Sequence, residues 1–215
     1  MRKSLIIIAA LIIVPTVLSA QNWRDRRSRY NDGPELSIFG GYRYGGTIFA
    51  RQSDLFNENV DIASSPDIGA TLDVPLNPSL ALELLVSHQS TNFTQGNDVL
   101  FGPTANLGNV GITYFQGGLK FPFSDSRDIH PYIAVTAGGA TITPDLPGAA
   151  SSTRFSFGGG IGAKINLNQN IGLKVEERGY WTSLPSTGDC FFCNANSTNT
   201  SMWQGETNVG VVFTF

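Results

Sequence analysis

The sequence feature that most constrains the fold is the strict alternation of residues 206–215. Successive side chains of a β-strand point to opposite faces, so an alternating segment with one apolar face predicts a strand between two different environments. The segment ends on the aromatic residue Phe215. The apolar face is formed by Thr207, Val209, Val211, Phe213 and Phe215.

Seven further alternating segments precede this one, at residues 35–44, 67–76, 80–90, 113–121, 131–141, 153–167 and 171–182. The connections are long after the first, third, fifth and seventh segments and short after the second, fourth and sixth. Transmembrane β-barrels have an even number of strands, short periplasmic turns and longer external loops. The chain is therefore predicted to be all-β and to form an eight-stranded antiparallel up-and-down transmembrane β-barrel. A soluble β-sandwich gives no reason for this sorting of loop lengths.

Residues 1–20 have the features of a cleaved signal peptide. Arg2 and Lys3 provide a basic start, residues 5–18 form an apolar run, and Ser19 and Ala20 are small residues suited to cleavage. The alternative is a transmembrane anchor, for which the run is short. We therefore expect residues 21–33 to be a polar periplasmic lead and residues 34–215 to form the barrel.

Composition excludes several function classes. Charged residues make up 14% of the chain and the net charge is −3, so no general attraction to nucleic acid is expected. We find no phosphate-binding loop and no complete set of zinc ligands. The sequence indicates no cofactor and no enzymatic site.

The chain resembles the small outer-membrane β-barrel proteins of Gram-negative bacteria, the OmpA-transmembrane-like and OmpX-like group. The signal peptide, the eight segments, the loop asymmetry and the ending at residues 209–215 carry the resemblance, and residues 82–90 and 114–120 look like segments of that group. It implies a monomer in the outer membrane, in contact with membrane lipid and lipopolysaccharide. It also implies that Val209, Val211, Phe213 and Phe215 are a signal for the barrel assembly machinery.

The more polar face of the predicted strands points into the barrel. The interior of an eight-stranded barrel is just wide enough for side chains to fill, so opposite charges there should pair. The sequence predicts a salt-bridged, closed lumen with a structural role or a role in binding a surface ligand through the external loops; a narrow gated pore or small-solute transporter is the alternative. The predicted lumenal charges are Glu35, Arg43, Asp67, Asp73, Glu83, Lys120, Arg154, Lys164, Lys174, Glu176 and Arg178.

Glu177 departs from the pattern, because strict alternation places it on the lipid face. A carboxylate is unfavourable there. We expect a β-bulge near residues 176–178 to shift the register; a contact with a partner is the alternative. The lumenal Gly158, Gly160 and Gly162 are expected to make space for long side chains from across the barrel.

His88 and Ser90 raise a second alternative. Outer-membrane lipid A deacylases place a His and a Ser two residues apart on one strand, with an acid that orients the His. The required acid is missing from this part of the sequence, so a lipid hydrolase is the weaker reading.

Cys190 and Cys193 are the two cysteines of the chain. In the oxidising compartment that the signal peptide implies, they are predicted to form a disulfide in the last external loop.

Overall fold

The computed structural model describes residues 33–53, 56–97, 105–123, 129–145, 151–184 and 201–215. Within them no helix is long and apolar enough to cross a membrane. Residues 1–32, which hold the predicted signal peptide and most of the predicted lead, lie outside the described residues. The strands are β1 (Glu35–Tyr44), β2 (Thr47–Ser53), β3 (Phe56–Ile62), β4 (Ser65–Asn77), β5 (Leu80–Asn97), β6 (Ala105–Pro122), β7 (Ile129–Pro144), β8 (Ser152–Asn166), β9 (Ile171–Ser183) and β10 (Ser201–Thr214).

Eight of these strands, β1 and β4 to β10, form a closed antiparallel barrel. Each pairs with the next barrel strand along the chain, including β1 with β4 across the inserted β2–β3 hairpin, and β1 also pairs with β10. Every barrel strand therefore has a partner on both sides, which a sheet in lipid requires because its backbone groups cannot bond to water. The predicted eight-stranded antiparallel barrel is confirmed.

The hairpin β2–β3 was not expected, because residues 45–65 read as a polar connection. Gly45 and Gly46 have φ angles of 79° and 113°, a backbone conformation that favours glycine, and they lead from β1 into β2. β3 then pairs with the outer part of β5, from Glu58 opposite Asn97 to Ile62 opposite Phe93. The hairpin therefore extends the barrel wall at its external end.

Across most of the barrel, apolar side chains point outward and polar ones point inward. Ile161 and Trp203 expose 62% and 67% of their surface on the outer face, whereas Arg43 and Glu83 in the lumen expose none. In lipid an exposed apolar side chain is well solvated, so this pattern suits a membrane-spanning wall.

At the external end of the barrel the two faces exchange character, with polar side chains outside and apolar side chains inside. β5 and β6 continue through residues 91–97 and 105–112, which the sequence analysis assigned to a loop. Phe93, Val110 and Ile112 are buried there, whereas Asn109 is exposed. They pack in an apolar core cluster with Ile142 and other buried residues. Outside the membrane the solvent is water, so these strands are polar outside and apolar inside. The prediction of a loop at these residues was wrong, because the sequence analysis considered only strands with an apolar outer face and a polar inner face.

The position of Phe215 generates a prediction about assembly. Its side chain is 66% exposed, so its loss removes little packing inside the barrel. If the terminal aromatic is read during insertion, Phe215→Ala should lower the yield of folded barrel severalfold in cells, measured as the species that migrates compactly in unboiled detergent gels. Phe123→Ala is the matched control, because Phe123 is 60% exposed directly after β6, at the same end of the barrel. Equal yields for the two variants would contradict an assembly role.

Candidate functional site in the lumen

The candidate site is the charge network inside the barrel. Because inward positions recur at every second residue of a strand, charged residues from most of the barrel strands meet in one narrow space. The structure places the predicted lumenal charges on inward-facing positions. It brings eight of the eleven together in two groups, which we call the lower cluster and the Arg43 cluster.

The lower cluster lies towards the short turns and is centred on Arg178. The Arg178 Nη2 atom lies 2.7 Å from Glu83 Oε1, and its Nε atom lies 2.6 Å from Glu176 Oε1. Lys120 Nζ lies 2.6 Å from Asp73 Oδ2 and 3.7 Å from Glu83 Oε2. Arg178 and Glu83 are fully buried, so each charge depends on these partners.

Lys174 and Tyr132 complete the lower cluster. Lys174 Nζ lies 3.6 Å from Glu176 Oε2 and 4.7 Å from the centre of the Phe39 ring. The Tyr132 hydroxyl donates to Glu176 Oε2 at 2.6 Å. The three acids Asp73, Glu83 and Glu176 face the three bases Lys120, Lys174 and Arg178. The lower cluster is therefore charge-balanced, as an unsolvated ionic group needs to be.

The Arg43 cluster lies towards the long loops and consists of Arg43, Asp67, Ser87 and Glu206. The Arg43 Nε atom donates to Glu206 Oε2 at 3.1 Å, and its Nη2 atom lies 3.3 Å from Asp67 Oδ2. Ser87 accepts a hydrogen bond from Arg43 and donates one to Asp67 at 3.2 Å. One buried cation is thus shared by two buried carboxylates.

The rings of two tyrosines lie against Arg43. The rings of Tyr114 and Tyr180 stack with centroids 4.2 Å apart, and the Arg43 guanidinium lies 4.9 Å and 5.1 Å from the two centroids. The Tyr180 hydroxyl donates to Glu206 Oε2 at 3.1 Å, and that of Tyr114 donates to Gln204 Oε1 at 2.7 Å. The aromatic pair therefore occupies the lumen beside the guanidinium, and Tyr180 also holds the carboxylate of Glu206 that pairs with Arg43.

The remaining predicted charges lie near the two mouths of the barrel. Lys164 forms an ion pair with Glu35 at the end that carries the short turns. Arg154 is half-buried near the opposite end of β8, where it pairs in register with Ala140. Among the described residues it has no ion pair.

Glu206 is the member of the network that sequence analysis missed. Its alternation with Asn208 and Thr214 already placed it on the inner face of the last strand. The segment was interpreted through its outward apolar residues alone, and the inward carboxylate was not counted. It accepts hydrogen bonds from Arg43, Tyr180 and Asn208.

The lumenal glycines make room mainly for neighbours on adjoining strands. A Cβ atom at Gly162 would lie 2.6 Å from the Tyr132 hydroxyl, and one at Gly160 would lie 3.3 Å from Arg178 Nε. Tyr132 belongs to β7 and Arg178 to β9, which flank β8 on its two sides. The expectation that these glycines accept side chains from across the barrel was therefore wrong for Gly160 and Gly162.

The expected β-bulge at Glu177 was also wrong. β9 pairs without a register shift with β10, where Glu177 lies opposite Thr207, and with β8, where it lies opposite Ile161. Its side chain is exposed on the outer face, between buried neighbours on either side. The backbone does not turn this carboxylate away from lipid.

His88 and Ser90 lie on the outer face of β5, and both are exposed. The His88 Nδ1 atom lies 2.8 Å from the Thr113 hydroxyl oxygen. No ion pair with His88 occurs within the part of the chain that the structure describes. Cys190 and Cys193 lie outside the described residues, so their predicted disulfide stays a prediction.

The charge network has no arrangement suited to a metal ion. In the described ranges no group of three or more His, Cys, Asp or Glu side chains is placed to hold one. The acidic groups instead bond to Arg, Lys, Tyr and Ser side chains.

The comparisons with known proteins agree with this architecture. The model of the outer membrane protein beta-barrel domain family matches residues 37–215, so the chain belongs to that family. It is a β-barrel protein of the Gram-negative outer membrane. No curated protein matches the sequence.

Three solved structures show the same fold at low sequence identity. The outer membrane protein AlkL is 18% identical with a TM-score of 0.58, over 91% of this chain and 96% of that one. OprG from Pseudomonas aeruginosa is 14% identical with a TM-score of 0.53, over 86% and 97%. Neisserial surface protein A is 14% identical with a TM-score of 0.51, over 85% and 97%.

The Arg43 cluster generates a stability prediction, because its two acids share one base. Asp67 Oδ1 has no hydrogen-bond partner, whereas Glu206 has several donors. Removing the charge of Asp67 relieves the excess of negative charge in the cluster. Removing the charge of Glu206 instead deprives Arg43 of its main partner. Asp67→Asn should therefore cost less than about 1 kcal/mol, and Glu206→Gln about 3 kcal/mol, in reversible urea unfolding from lipid vesicles. Equal losses would contradict this division of roles.

Proposed function

We propose that this outer-membrane barrel has a closed lumen, with a structural role or a surface-binding role at its external loops. The observation that carries the proposal is the burial of large charged and aromatic side chains across the whole section of the barrel. The fully buried lumenal side chains include Arg43, Arg178, Tyr114, Tyr180, Phe39, Lys174, Glu83 and Glu176. Water reaches few of the groups that would line a pore.

A second layer supports the same conclusion. Above the Arg43 cluster, Phe93, Val110, Ile112 and Met202 are buried in an apolar core, and Leu184 packs against it. A small hydrophilic solute would have to displace both this apolar layer and the ion pairs below it. The barrel therefore serves as a rigid support, and the external loops are the surfaces left for recognition.

A narrow gated pore is the second candidate. The uneven charge of the Arg43 cluster favours it, because Arg43 Nη1 and Asp67 Oδ1 are buried without hydrogen-bond partners. Buried polar atoms without hydrogen-bond partners are unfavourable, so a rearrangement that gives them partners would be favoured. The ion pairs of the lower cluster need not break for this, so the opening would be local.

A lipid hydrolase has less support. His88 contacts a threonine hydroxyl at 2.8 Å, and its ring faces the outside of the barrel and not the lumen. A His-based nucleophilic site requires an acid that orients the ring, and none of the described carboxylates pairs with it. We therefore propose that the protein is not an enzyme.

Conductance in planar bilayers tests the closed lumen. We expect the refolded protein, residues 21–215, to give no discrete channels at neutral pH. Glu83→Ala, which leaves Arg178 and Lys120 without one of their acids, should produce channel events by loosening the lower cluster. Ser79→Ala, at an exposed turn, is the control and should remain silent. Regular channel openings from the unaltered protein would overturn the proposal in favour of the gated pore.

A further inference from the structure

The lipid-facing carboxylate of Glu177 is not used by the lumenal network. Glu177 is the fourth of seven outward positions on β9, with Ile171, Leu173 and Val175 towards the short turns and Gly179, Trp181 and Ser183 towards the long loops. It therefore lies near the middle of the apolar wall. Ionisable groups at this depth are unfavourable unless they are paired, and they mark functional sites.

Two hydroxyl groups hold this carboxylate in position. Tyr44 donates to Glu177 Oε1, and Thr207 donates to Glu177 Oε2. Each oxygen has one donor and can accept another, because a carboxylate has about four acceptor positions. The side chain is therefore oriented by two neutral hydroxyl groups and not by a cation.

No cation of the described barrel wall compensates Glu177. The Lys and Arg side chains that the structure describes all lie on inward positions. A second copy of the chain packed side by side would thus bring no Lys or Arg from these residues to the carboxylate. A positive charge that pairs with Glu177 would therefore have to come from a bound molecule.

A shallow slot lies next to the carboxylate. Gly159, Gly179 and Gly205 are opposite one another on β8, β9 and β10, so three neighbouring outward positions carry no side chain. A Cβ at Gly159 would meet no atom within 4 Å, and one at Gly179 only a backbone oxygen at 3.9 Å. The Tyr44 ring covers Gly205 and closes that end of the slot.

The walls of the slot set the size of its occupant. Trp181 and Phe157, which are paired in register, form the wall towards the long loops. Glu177 and Ile161, also paired, form the opposite wall. The slot is one outward position wide, about 7 Å along a strand. A helix, about 10 Å across, does not enter it, whereas a single alkyl chain fits.

We propose that this slot binds a single-chain amphiphile with a primary amine, whose ammonium group pairs with Glu177 while its alkyl chain lies over Gly179 and Gly159. The charge of Glu177 selects the ammonium, and the open glycines accept the chain. The head group of a bilayer phospholipid does not suit the site, because Glu177 lies near the middle of the apolar wall and head groups lie at the two edges of that wall. The occupant is therefore an amine dissolved in the membrane.

Quenching of Trp181 fluorescence tests the proposal. The refolded protein, in a Trp23→Phe and Trp203→Phe background that leaves Trp181 as the reporter, is placed in phosphatidylcholine nanodiscs. A mid-chain dibrominated alkylamine is titrated against the alcohol of the same chain. We expect saturable quenching by the amine at a concentration about tenfold lower than that needed for the alcohol, because a charge-assisted hydrogen bond is gained. Equal quenching by both probes would overturn the proposal.

Three variants distinguish the site from simple partition into the bilayer. Glu177→Gln keeps the size, and its amide can accept from one hydroxyl and donate to the other, but it removes the charge, so it should abolish the preference for the amine. Gly179→Val fills the slot and should weaken both probes. Gly117→Val is the control, because Gly117 is an outward glycine on β6, outside the slot. Each variant is first shown to fold by its compact migration in unboiled gels. An unchanged amine preference in Glu177→Gln, or unchanged binding in Gly179→Val, would contradict the proposal.

Discussion

The pairing of β1 with β10 is the interaction on which the rest of the structure depends. It closes the sheet, so that no strand edge is left with unbonded backbone groups in lipid. It also places Arg43 directly opposite Glu206. The same contact between the first and last strands therefore closes the wall and creates the principal ion pair of the Arg43 cluster. The last strand therefore carries the apolar residues that lead to Phe215 on its outer face and Glu206 on its inner face.

Much of the fold could be predicted from the sequence, because the membrane imposes one simple pattern. Apolar residues face out and polar residues face in, and this alternation identified the eight barrel strands. It failed where the environment changes: β5 and β6 continue beyond the apolar band, where Asn109 is exposed and Phe93, Val110 and Ile112 are inside. The β2–β3 hairpin was missed for the same reason, since it extends the wall beyond the apolar band.

The sequence could predict which charged residues face the lumen, but not which of them form ion pairs with one another. Alternation tells which way Glu83 and Arg178 point, but the pairing of β5 with β9 residues across the lumen depends on the register of every strand between them. Strand register is set by the whole sheet and cannot be read from one segment. Glu206 was overlooked because its segment has an obvious outward role. A β-bulge was expected at Glu177 because an outward carboxylate is unfavourable in lipid. The register is regular, and the hydroxyl groups of Tyr44 and Thr207, from two other strands, bind the carboxylate on the outer face.

Chemical access to the lumen tests the closed barrel most directly. Ser87 is 1% exposed beside Arg43, and a cysteine at this position, in a Cys190→Ser and Cys193→Ser background, reports whether a small neutral thiol reagent enters. Ser79→Cys, at an exposed turn, gives the rate of unhindered modification. A closed lumen predicts that the cysteine at position 87 is unmodified in the folded barrel in vesicles and is modified after unfolding. Modification of the folded barrel at a rate near that of the turn would mean that a path for solutes reaches the centre of the lumen.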